Sequence, residues 1–321
     1  SGGYAALNEE EQKNVFGYAS QDNFSPTVSN IKSNMEDAIV GRRSDINHIK
    51  NVLGIGSERL SNLLIIRGWP GVGKSFLAQV IAYDEHTRST FPDGVIVVAL
   101  GKDSNNVSKL QEIAMKVKLP LSNETDTKIL IQKIMWFFED KKILLVVDDA
   151  FEVGEAVIFK QLLGPNCCLL VTTRFPKVAY GLSERSNIDV YYLDVLSNEF
   201  AHELISIVAP TMDQKYTDII KTLSLDLEGL PLAVKVAGRL LEEEINRGFD
   251  IIPLIEELRS THKLMETNSS SGFDPETGTT PTIQKLFELS TDRLKADSED
   301  ALIAFVMLGA FAPKPASFFL E

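Results

Sequence analysis

Short, uniformly apolar runs recur along the first two thirds of the chain, and longer segments with apolar residues every three to four positions lie between them. A short run without alternation is typical of a strand that is buried on both faces of a sheet. The longer spacing is typical of a helix with one apolar face. The runs that predict strands are "NLLIIRG" (62–68), "GVIVVAL" (94–100), "KILLVVDD" (142–149), "CCLLVTTR" (167–174) and "VYYLDVL" (190–196).

Helices are predicted between these runs. In "VGRRSDINHIKNVL", apolar residues stand at Ile46, Ile49 and Leu53, and Ser44 is the predicted N-cap. A further helix follows the first run, and "NNVSKLQEIAMKVK" and "DTKILIQKIMWFFED" predict two more. Strands that alternate with helices indicate an α/β fold with a parallel, doubly wound sheet over roughly 40–195.

From residue 196 onward the pattern is helical only, as in "SNEFAHELISIVAP", "KYTDIIKTLSLDL" and "PLAVKVAGRLLEEEI". We therefore expect an α/β domain over 39–195 and a helical domain over 196–265. Residues 266–281 hold turn-forming residues without an apolar stripe, which is typical of a flexible linker or loop. Residues 282–321 begin another helical unit, and the polar residues 1–38 predict an N-terminal extension that is partly ordered at best.

The composition is that of a globular protein, with 44% of the 321 residues hydrophobic and 24% charged. A formal net charge of −13 disfavours binding to nucleic acid or to an anionic membrane surface. Cys167 and Cys168 are adjacent, and neighbours on a strand point to opposite faces, so we expect no disulfide between them. No apolar run reaches the ~18 residues that span a bilayer. These features predict a soluble protein of a reducing compartment, the cytoplasm.

The first predicted strand leads into "GWPGVGKS", which fits the pattern G-x-x-x-x-G-K-S/T. Glycines in this pattern let backbone amides curl round the α- and β-phosphates of a nucleotide, helped by the N-terminus of the next helix. Lys74 would reach the β- and γ-phosphate oxygens, and the Ser75 hydroxyl would take one Mg²⁺ position. The alternative is a glycine-rich turn with an unpaired lysine.

Within this loop, Trp69 and Pro70 are expected to stiffen or shield the backbone rather than to react. The residues predicted to line the nucleotide at the loop are Gly68, Trp69, Pro70, Gly71, Val72, Gly73, Lys74, Ser75 and Phe76.

Two carboxylates and one cation stand at the ends of other predicted strands. Asp148 follows "ILLVV", where a carboxylate in such a sheet lies near the phosphates and can hold the Mg²⁺ shell. Asp149 is a candidate for orienting a water or acting as a base, and with Lys74 it makes up the predicted catalytic set. Arg174 ends "LLVTTR" and would touch a γ-phosphate. An ordinary turn at the acidic pair and a surface arginine are the alternatives.

Several motifs occur in a characteristic order, namely "VGRR" (40–43), the glycine-rich loop (68–75), "LLVVDD" (144–149), "LLVTTR" (169–174) and "GLPL" (229–232). In this order they resemble an NB-ARC domain, the nucleotide-binding switch of the STAND class of P-loop ATPases, which includes plant disease-resistance NLR proteins and the animal apoptotic protease-activating factor. The resemblance implies that Val40, Gly41 and Arg42 line the adenine site and that Pro231 reaches the nucleotide from an ARC1-like helical domain. Residues 282–321 would start an ARC2-like winged-helix domain that is incomplete here, without the histidine of the family's "MHD" motif.

The resemblance further implies a switch that binds ADP or ATP, with Mg²⁺ beside ATP. ADP would lock the domains closed, and ATP would open them and drive self-association. Hydrolysis is expected to be slow or negligible. Because the chain lacks an initiator Met and ends within an apolar segment, we expect the sensor and effector domains of an immune or cell-death signalling protein to lie outside this piece.

Three alternatives stay open. A working ATPase or remodelling motor would use Asp149 as its water-orienting acid. A small-molecule kinase is disfavoured because no acceptor-site motif stands out. A STAND transcription regulator would contact DNA through another domain, since this acidic piece is expected to make no direct contact with nucleic acid. The preference for adenine rests on the resemblance and on the absence of a guanine-reading N-K-x-D motif.

Overall fold

The structure, a computed structural model, describes residues 39–101, 105–120 and 124–256, together with residues 258 and 291. The predicted N-terminal extension and the predicted linker lie outside these residues. The same is true of the predicted winged-helix start, apart from residue 291.

The predicted apolar runs form the strands of one sheet. They are β1 (Leu63–Arg67), β2 (Gly94–Ala99), β3 (Ile143–Asp148), β4 (Cys168–Thr173) and β5 (Val190–Tyr192). The five strands pair in the order β2-β3-β4-β1-β5, and every pairing is parallel. In register, Ile65 of β1 lies beside Val171 of β4 and Val190 of β5. The predicted parallel sheet is therefore confirmed.

Helices fill the connections between the strands and continue beyond the last one. Those of the α/β part are α1 (Arg43–Leu53), α2 (Lys74–Tyr83), α3 (Glu85–Thr90), α4 (Asn106–Lys116), α5 (Thr127–Phe138), α6 (Val153–Gln161), α7 (Pro176–Leu182) and α8 (Ser186–Asp189). The helical part contains α9 (Asn198–Val208), α10 (Pro210–Asp226) and α11 (Pro231–Asn246).

Apolar residues on both faces of the sheet are buried, which makes the fold doubly wound as predicted. Leu64 and Ile66 of β1 pack into a core with α1 and α2. Their neighbours Leu63 and Ile65 point the other way, into a second core with α4 to α7. A fully buried Leu or Ile side chain contributes about 1.5–3 kcal/mol, so the uniform apolar runs stabilise a strand that is covered on both sides.

The helical part shares the first of these cores. Proline stands in the first turn of α10 and of α11, where its missing N–H leaves no helical bond unmade. Leu196, Leu204 and Leu230 of the helical part belong to the same buried cluster as Leu64 of the sheet. Apolar packing therefore runs without a break from the sheet into the helical part.

Local details differ from the sequence predictions. Ser44 is not the N-cap, because α1 begins at Arg43 and Arg42 takes the N-cap position without a side-chain capping bond. The strand predicted over 190–196 ends at Tyr192. The amide of Leu193 still donates to the carbonyl oxygen of Arg67 at 2.7 Å, but the amide of Leu196 donates to the carbonyl oxygen of Gly229 at 2.8 Å. Helices α3, α6, α7 and α8 were not predicted.

Both cysteines are buried as free thiols, as expected from their adjacent positions. In the parts of the chain that the structure describes, no helix is both long enough and apolar enough to cross a bilayer.

Candidate functional site

The order of the strands brings the predicted site residues together. Strand β4 lies between β1 and β3, so the carboxyl ends of these three parallel strands stand side by side. The glycine-rich loop leaves β1, the acidic pair Asp148 and Asp149 ends β3, and Arg174 follows β4. Lys74 at the start of α2 is close enough for the charges of all three to act on it.

Two glycines of the loop stand where a residue with a Cβ would collide or would be strained. A Cβ at Gly68 would collide with the carbonyl oxygen of Leu193. Gly73 has a φ of +102°, and a Cβ there would meet nothing within 4 Å. Gly73 therefore turns the chain into α2 and leaves open space in front of the first amides of the helix.

The remaining loop residues frame this space in different ways. Val72 is fully buried and anchors the loop in the core, and Pro70 is buried as well. The Trp69 side chain is 38% exposed, and its shielding role stays a prediction. Gly71 and the side chains of Ser75 and Phe76 are partly exposed.

Lys74 is buried although it is a lysine. Its Nζ donates to the carbonyl oxygens of Gly68 at 3.0 Å and Trp69 at 2.9 Å, which folds the side chain back over the loop. Burial and, to a smaller extent, the positive charge of Arg174 lower the pKa of Lys74, against the opposing effect of Asp149 and Asp148, and the net result is a pKa of about 8. The nearby carboxylates therefore only partly balance the positive charge of Lys74.

Asp148 interacts with the first turn of α2 through Ser75 and the charge of Lys74. It accepts a hydrogen bond from the Thr172 hydroxyl of the neighbouring strand β4. Burial raises the pKa of Asp148, and the charge of Asp149 raises it too, whereas hydrogen bonds from Thr172 and Ser75 and the charge of Lys74 lower it. The carboxylate and the Ser75 hydroxyl therefore stand together in a place that favours an added positive charge.

Asp149 has an unusual backbone conformation, with a φ of +55°. Its amide donates to the Thr172 hydroxyl at 2.9 Å, and its carboxylate accepts from Nη2 of Arg174 at 3.2 and 3.3 Å. The guanidinium of Arg174 also lies 5.2 Å from the centre of the Phe151 ring. Aspartate tolerates a left-handed backbone better than most residues do, and such conformations are often found at functional positions.

These residues fit a phosphate group and a magnesium ion. The open space before α2, its amides and the buried ammonium of Lys74 suit an anion. Mg²⁺ usually takes only one or two protein oxygens and completes its shell with phosphates and waters, so Ser75 and Asp148 suffice. Within the described ranges, no group of three or more His, Cys, Asp or Glu could form a self-contained metal site.

The segment predicted to line the adenine site contacts the loop from the other side. Arg42 is buried, and its Nη2 donates to the carbonyl oxygen of Val72 at 3.0 Å. Gly41 has a φ of +69°, and a Cβ there would press on the Phe200 ring of α9. Val40 packs against the core shared with the helical part. These contacts place the segment between the loop and the helical part, and its contact with adenine stays a prediction.

Pro231 lies where the helical part meets the loop. The amide of the next residue, Leu232, donates to the carbonyl oxygen of Gly71 at 3.2 Å. Gly229, two residues earlier, has a φ of +63°, and a Cβ there would collide with the carbonyl oxygen of Leu196. The first turn of α11 is thus bonded directly to the glycine-rich loop.

Sequence reasoning missed residues that hold the site in shape. Thr172 bonds to both members of the acidic pair, and only the adjacency of β3 and β4 reveals this. Asp45 pairs with Arg42 at 3.4 Å and accepts from the Tyr191 hydroxyl of β5. No sequence motif pointed to Asp45 or Tyr191, because their contact joins α1 to β5, which lie 146 residues apart in the sequence.

Comparison with known proteins finds plant disease resistance proteins and a bacterial branch migration complex subunit. "Probable disease resistance protein RF45" of Arabidopsis thaliana is 24% identical over 213 residues, which are 61% of this chain and 21% of that protein. "Putative disease resistance RPP13-like protein 1" of the same plant is 28% identical over 234 residues, 68% of this chain and 21% of that protein. "Holliday junction branch migration complex subunit RuvB" of Mycoplasma pneumoniae is 24% identical over 241 residues, 68% of this chain and 71% of that protein.

Among solved structures, Cdc6p from Pyrobaculum aerophilum superimposes with a TM-score of 0.47 and 13% identity, over 74% of this chain and 67% of that one. The chain spans 21% of the length of the two plant relatives. A family model described as "NB-ARC domain" matches residues 42–215, which is more than half of the 321 residues. The resemblance seen in the motifs is thereby confirmed, and the chain belongs to the NB-ARC domain family.

Proposed function

We propose that this chain is a nucleotide-dependent conformational switch that binds ADP or ATP at the glycine-rich loop, with Mg²⁺ beside ATP. Lys74 and the amides at the start of α2 would hold the phosphates, and Ser75 and Asp148 would hold the ion. Val40, Gly41 and Arg42 would line the base, and Pro231 would close the site from the helical part. Mg²⁺, when bound, would neutralise part of the phosphate charge.

The observation that carries this proposal is the bonding between the loop and the helical part. The amide of Leu232 in α11 donates to the carbonyl oxygen of Gly71 at 3.2 Å, on the loop that would cradle the phosphates. A ligand that shifts this loop also changes the bonding partner of α11. A difference in nucleotide affinity between docked and undocked arrangements then supplies the free energy of switching.

The ion pair between Arg174 and Asp149 supports an inactive docked state. In this pair the guanidinium of Arg174 lies 3.2 Å from the carboxylate of Asp149. A γ-phosphate would compete with Asp149 for Arg174. With ADP, which lacks this phosphate, the pair between Arg174 and Asp149 would remain. We therefore assign the docked arrangement to the ADP-bound state.

For the whole protein, the plant relatives named as disease resistance proteins suggest a role in immune signalling. Since the chain spans 21% of their length, sensor and effector domains would lie in the remainder. Self-association after ATP binding and a cytoplasmic location complete the proposal. Both are inferred from the family membership.

A working ATPase is the second candidate, and the similarity to a branch migration complex subunit favours it. Asp149 would orient the attacking water in that case. The contact with Arg174 argues against a free water-orienting acid in this arrangement, because both carboxylate oxygens accept from Nη2. Sustained turnover would decide for this candidate.

X-ray scattering and light scattering on the chain loaded with ADP, or with a non-hydrolysable ATP analogue and Mg²⁺, test the switch. The ADP-loaded chain should be compact, whereas the analogue should increase the radius of gyration or the molecular mass. Lys74→Ala, which should not bind either nucleotide, is the matched control and should give one curve throughout. Superimposable curves for the wild-type chain in both states would overturn the switch.

A further inference from the structure

The two edges of the sheet differ in how much backbone they offer to another strand. Among the strands that the structure describes, β5 stands at one end of the order β2-β3-β4-β1-β5 and β2 at the other. The edge strand β5 is three residues long, whereas β2 has six, of sequence "GVIVVA". A long apolar edge strand presents N–H and C=O groups to which a strand of another chain can bond. The edge of β2 is therefore the one that is more open to strand pairing.

Alternate residues of β2 direct their backbone groups away from the sheet. The amide of Leu100, just after β2, donates to the carbonyl oxygen of Asp148 at 2.8 Å, so Leu100 faces β3. The backbone groups of neighbouring residues on a strand point to opposite sides, so Val95, Val97 and Ala99 face outward. The side chains of Val95 and Val97 are only partly buried. The outer edge of β2 thus combines outward backbone groups with half-exposed valines.

One lysine reaches the middle of this edge. Lys116 is the last residue of α4, and its Nζ donates to the carbonyl oxygen of Val97 at 2.5 Å. Glu112, one turn earlier on α4, pairs with the same ammonium at 2.6 Å and fixes its position. Lys116 therefore occupies an outward acceptor of β2 and places a positive charge beside it.

A second copy of this chain is the partner that this charge opposes most strongly. If β2 of one copy paired antiparallel with β2 of another around a twofold axis at Val97, identical outward groups would exchange hydrogen bonds. The same axis would bring the two Lys116 ammoniums together, and like charges opposite each other are destabilising. Each copy would also have to break the bond between Lys116 and Val97 before the strands could pair.

We propose that the outer edge of β2 is a surface for pairing with β2 of a second copy, and that Lys116 keeps this surface closed. The proposal does not depend on nucleotide binding, because neither β2 nor α4 carries a residue of the nucleotide site. Loss of the Lys116 charge should therefore open the surface in the nucleotide-free chain and in the ADP-loaded chain alike.

Light scattering on the nucleotide-free chain, over a range of protein concentrations, tests this role. Lys116→Met keeps most of the aliphatic stem but removes the charge and the donor, so the mass should rise from that of the wild-type chain toward that of a dimer. Lys116→Arg retains both and should give the wild-type mass. Lys109→Met is the matched control, because Lys109 lies on the same helix, pairs with the same Glu112 at 3.1 Å and has no printed bond beyond it in the described residues.

A proline at the edge shows whether β2 is the surface that pairs. Lys116→Met/Val97→Pro lacks the outward N–H of residue 97 but keeps the bonds to β3, so this double variant should return to the wild-type mass. A double variant that still associates would place the surface elsewhere and overturn the proposal. The same holds for an unchanged mass in Lys116→Met, or for an equal rise in Lys109→Met.

Crosslinking gives a second measurement that does not depend on proline. In the Lys116→Met background, Val97→Cys should form a disulfide-linked dimer on mild oxidation, since the twofold axis brings the two copies of residue 97 together. With Lys116 intact, Val97→Cys should stay uncrosslinked under the same conditions. Equal crosslinking in both backgrounds, or none in either, would show that Lys116 does not control pairing at this edge.

Discussion

At the scale of single residues, the site holds ionisable groups where burial works against their charge. Burial lowers the pKa of Lys74 and raises that of Asp148, although the two groups lie close enough to act on each other. Each would gain from an added opposite charge, a phosphate for the lysine and a magnesium ion for the carboxylate. The motif predicts these residue types, but their titration depends on burial, which only the folded chain defines.

The pKa of Lys74 predicts how nucleotide affinity depends on pH. In the free chain this pKa is lowered from 10.5 to about 8, so the lysine loses its proton as the pH rises through 8. A bound phosphate stabilises the charged form and raises the pKa again. ADP affinity should therefore fall above pH 8 by up to ~10-fold per pH unit. Calorimetry in buffers of different ionisation enthalpy should detect proton uptake on binding in this range.

Stability should change with pH in the opposite sense. Above its folded pKa, Lys74 is neutral in the folded chain while it still binds a proton in the unfolded chain, up to its usual pKa. The contribution of Lys74 to the free energy of unfolding of the nucleotide-free chain should therefore rise with pH in this window.

An ADP affinity that stays constant from neutral pH to about pH 9.5 would show that Lys74 keeps its proton throughout.

The two candidates for catalysis should behave differently when changed. Lys74→Ala should abolish ADP binding, because it removes the buried cation beside the loop. Asp149→Asn should leave ADP affinity nearly intact and alter turnover or activation. Asparagine is the better replacement here, since it tolerates the left-handed φ of +55° whereas alanine adds backbone strain. Equilibrium binding of a fluorescent ADP analogue and a phosphate-release assay measure both effects. Wild-type ADP affinity in Lys74→Ala would show that the site is assigned to the wrong residues.

At the scale of elements, a sequence pattern predicts an element best when it suits only one environment, such as a strand that is buried on both faces. The run of β3 is apolar at every position before Asp148 and is buried on both faces. The β5 region was predicted too long, because only the amide of Leu193 continues the bonding to β1, whereas the amide of Leu196 donates to Gly229 of the helical part. Helix α6 was missed because its apolar residues form no clear stripe. Its boundaries follow from packing between neighbouring helices, which no local pattern reveals.

The joint between the sheet and the helical part should depend on Gly229. Gly229→Ala combines a φ of +63° with a collision against the carbonyl oxygen of Leu196. Gly56→Ala is the matched control, because Gly56 has a φ of +77° but no atom within 4 Å of a Cβ. Backbone strain alone should cost about 1–2 kcal/mol at Gly56, and overpacking should add about 1–3 kcal/mol at Gly229. Urea unfolding measures the loss of unfolding free energy in each variant. Equal losses for Gly229→Ala and Gly56→Ala would contradict close packing of Gly229 against Leu196.

At the scale of the whole molecule, the order of the strands and the docking of the helical part determine what the site can do. The sequence predicts parallel strands, but the position of β4 between β1 and β3 depends on long-range pairing. That position brings Thr172 to Asp148 and Asp149. The continuous apolar core likewise ties the helical part to the sheet, so a change at the glycine-rich loop can reach α11 through one bonded contact.

The central claim is that the loop holds nucleotide to maintain a docked state rather than to turn it over. The most direct test is to denature the purified chain, identify the released nucleotide by chromatography and measure steady-state ATP hydrolysis of the native chain in parallel. The switch predicts close to one ADP per chain and almost no turnover. An empty site together with sustained, Mg²⁺-dependent hydrolysis would contradict it and would make the chain a working ATPase.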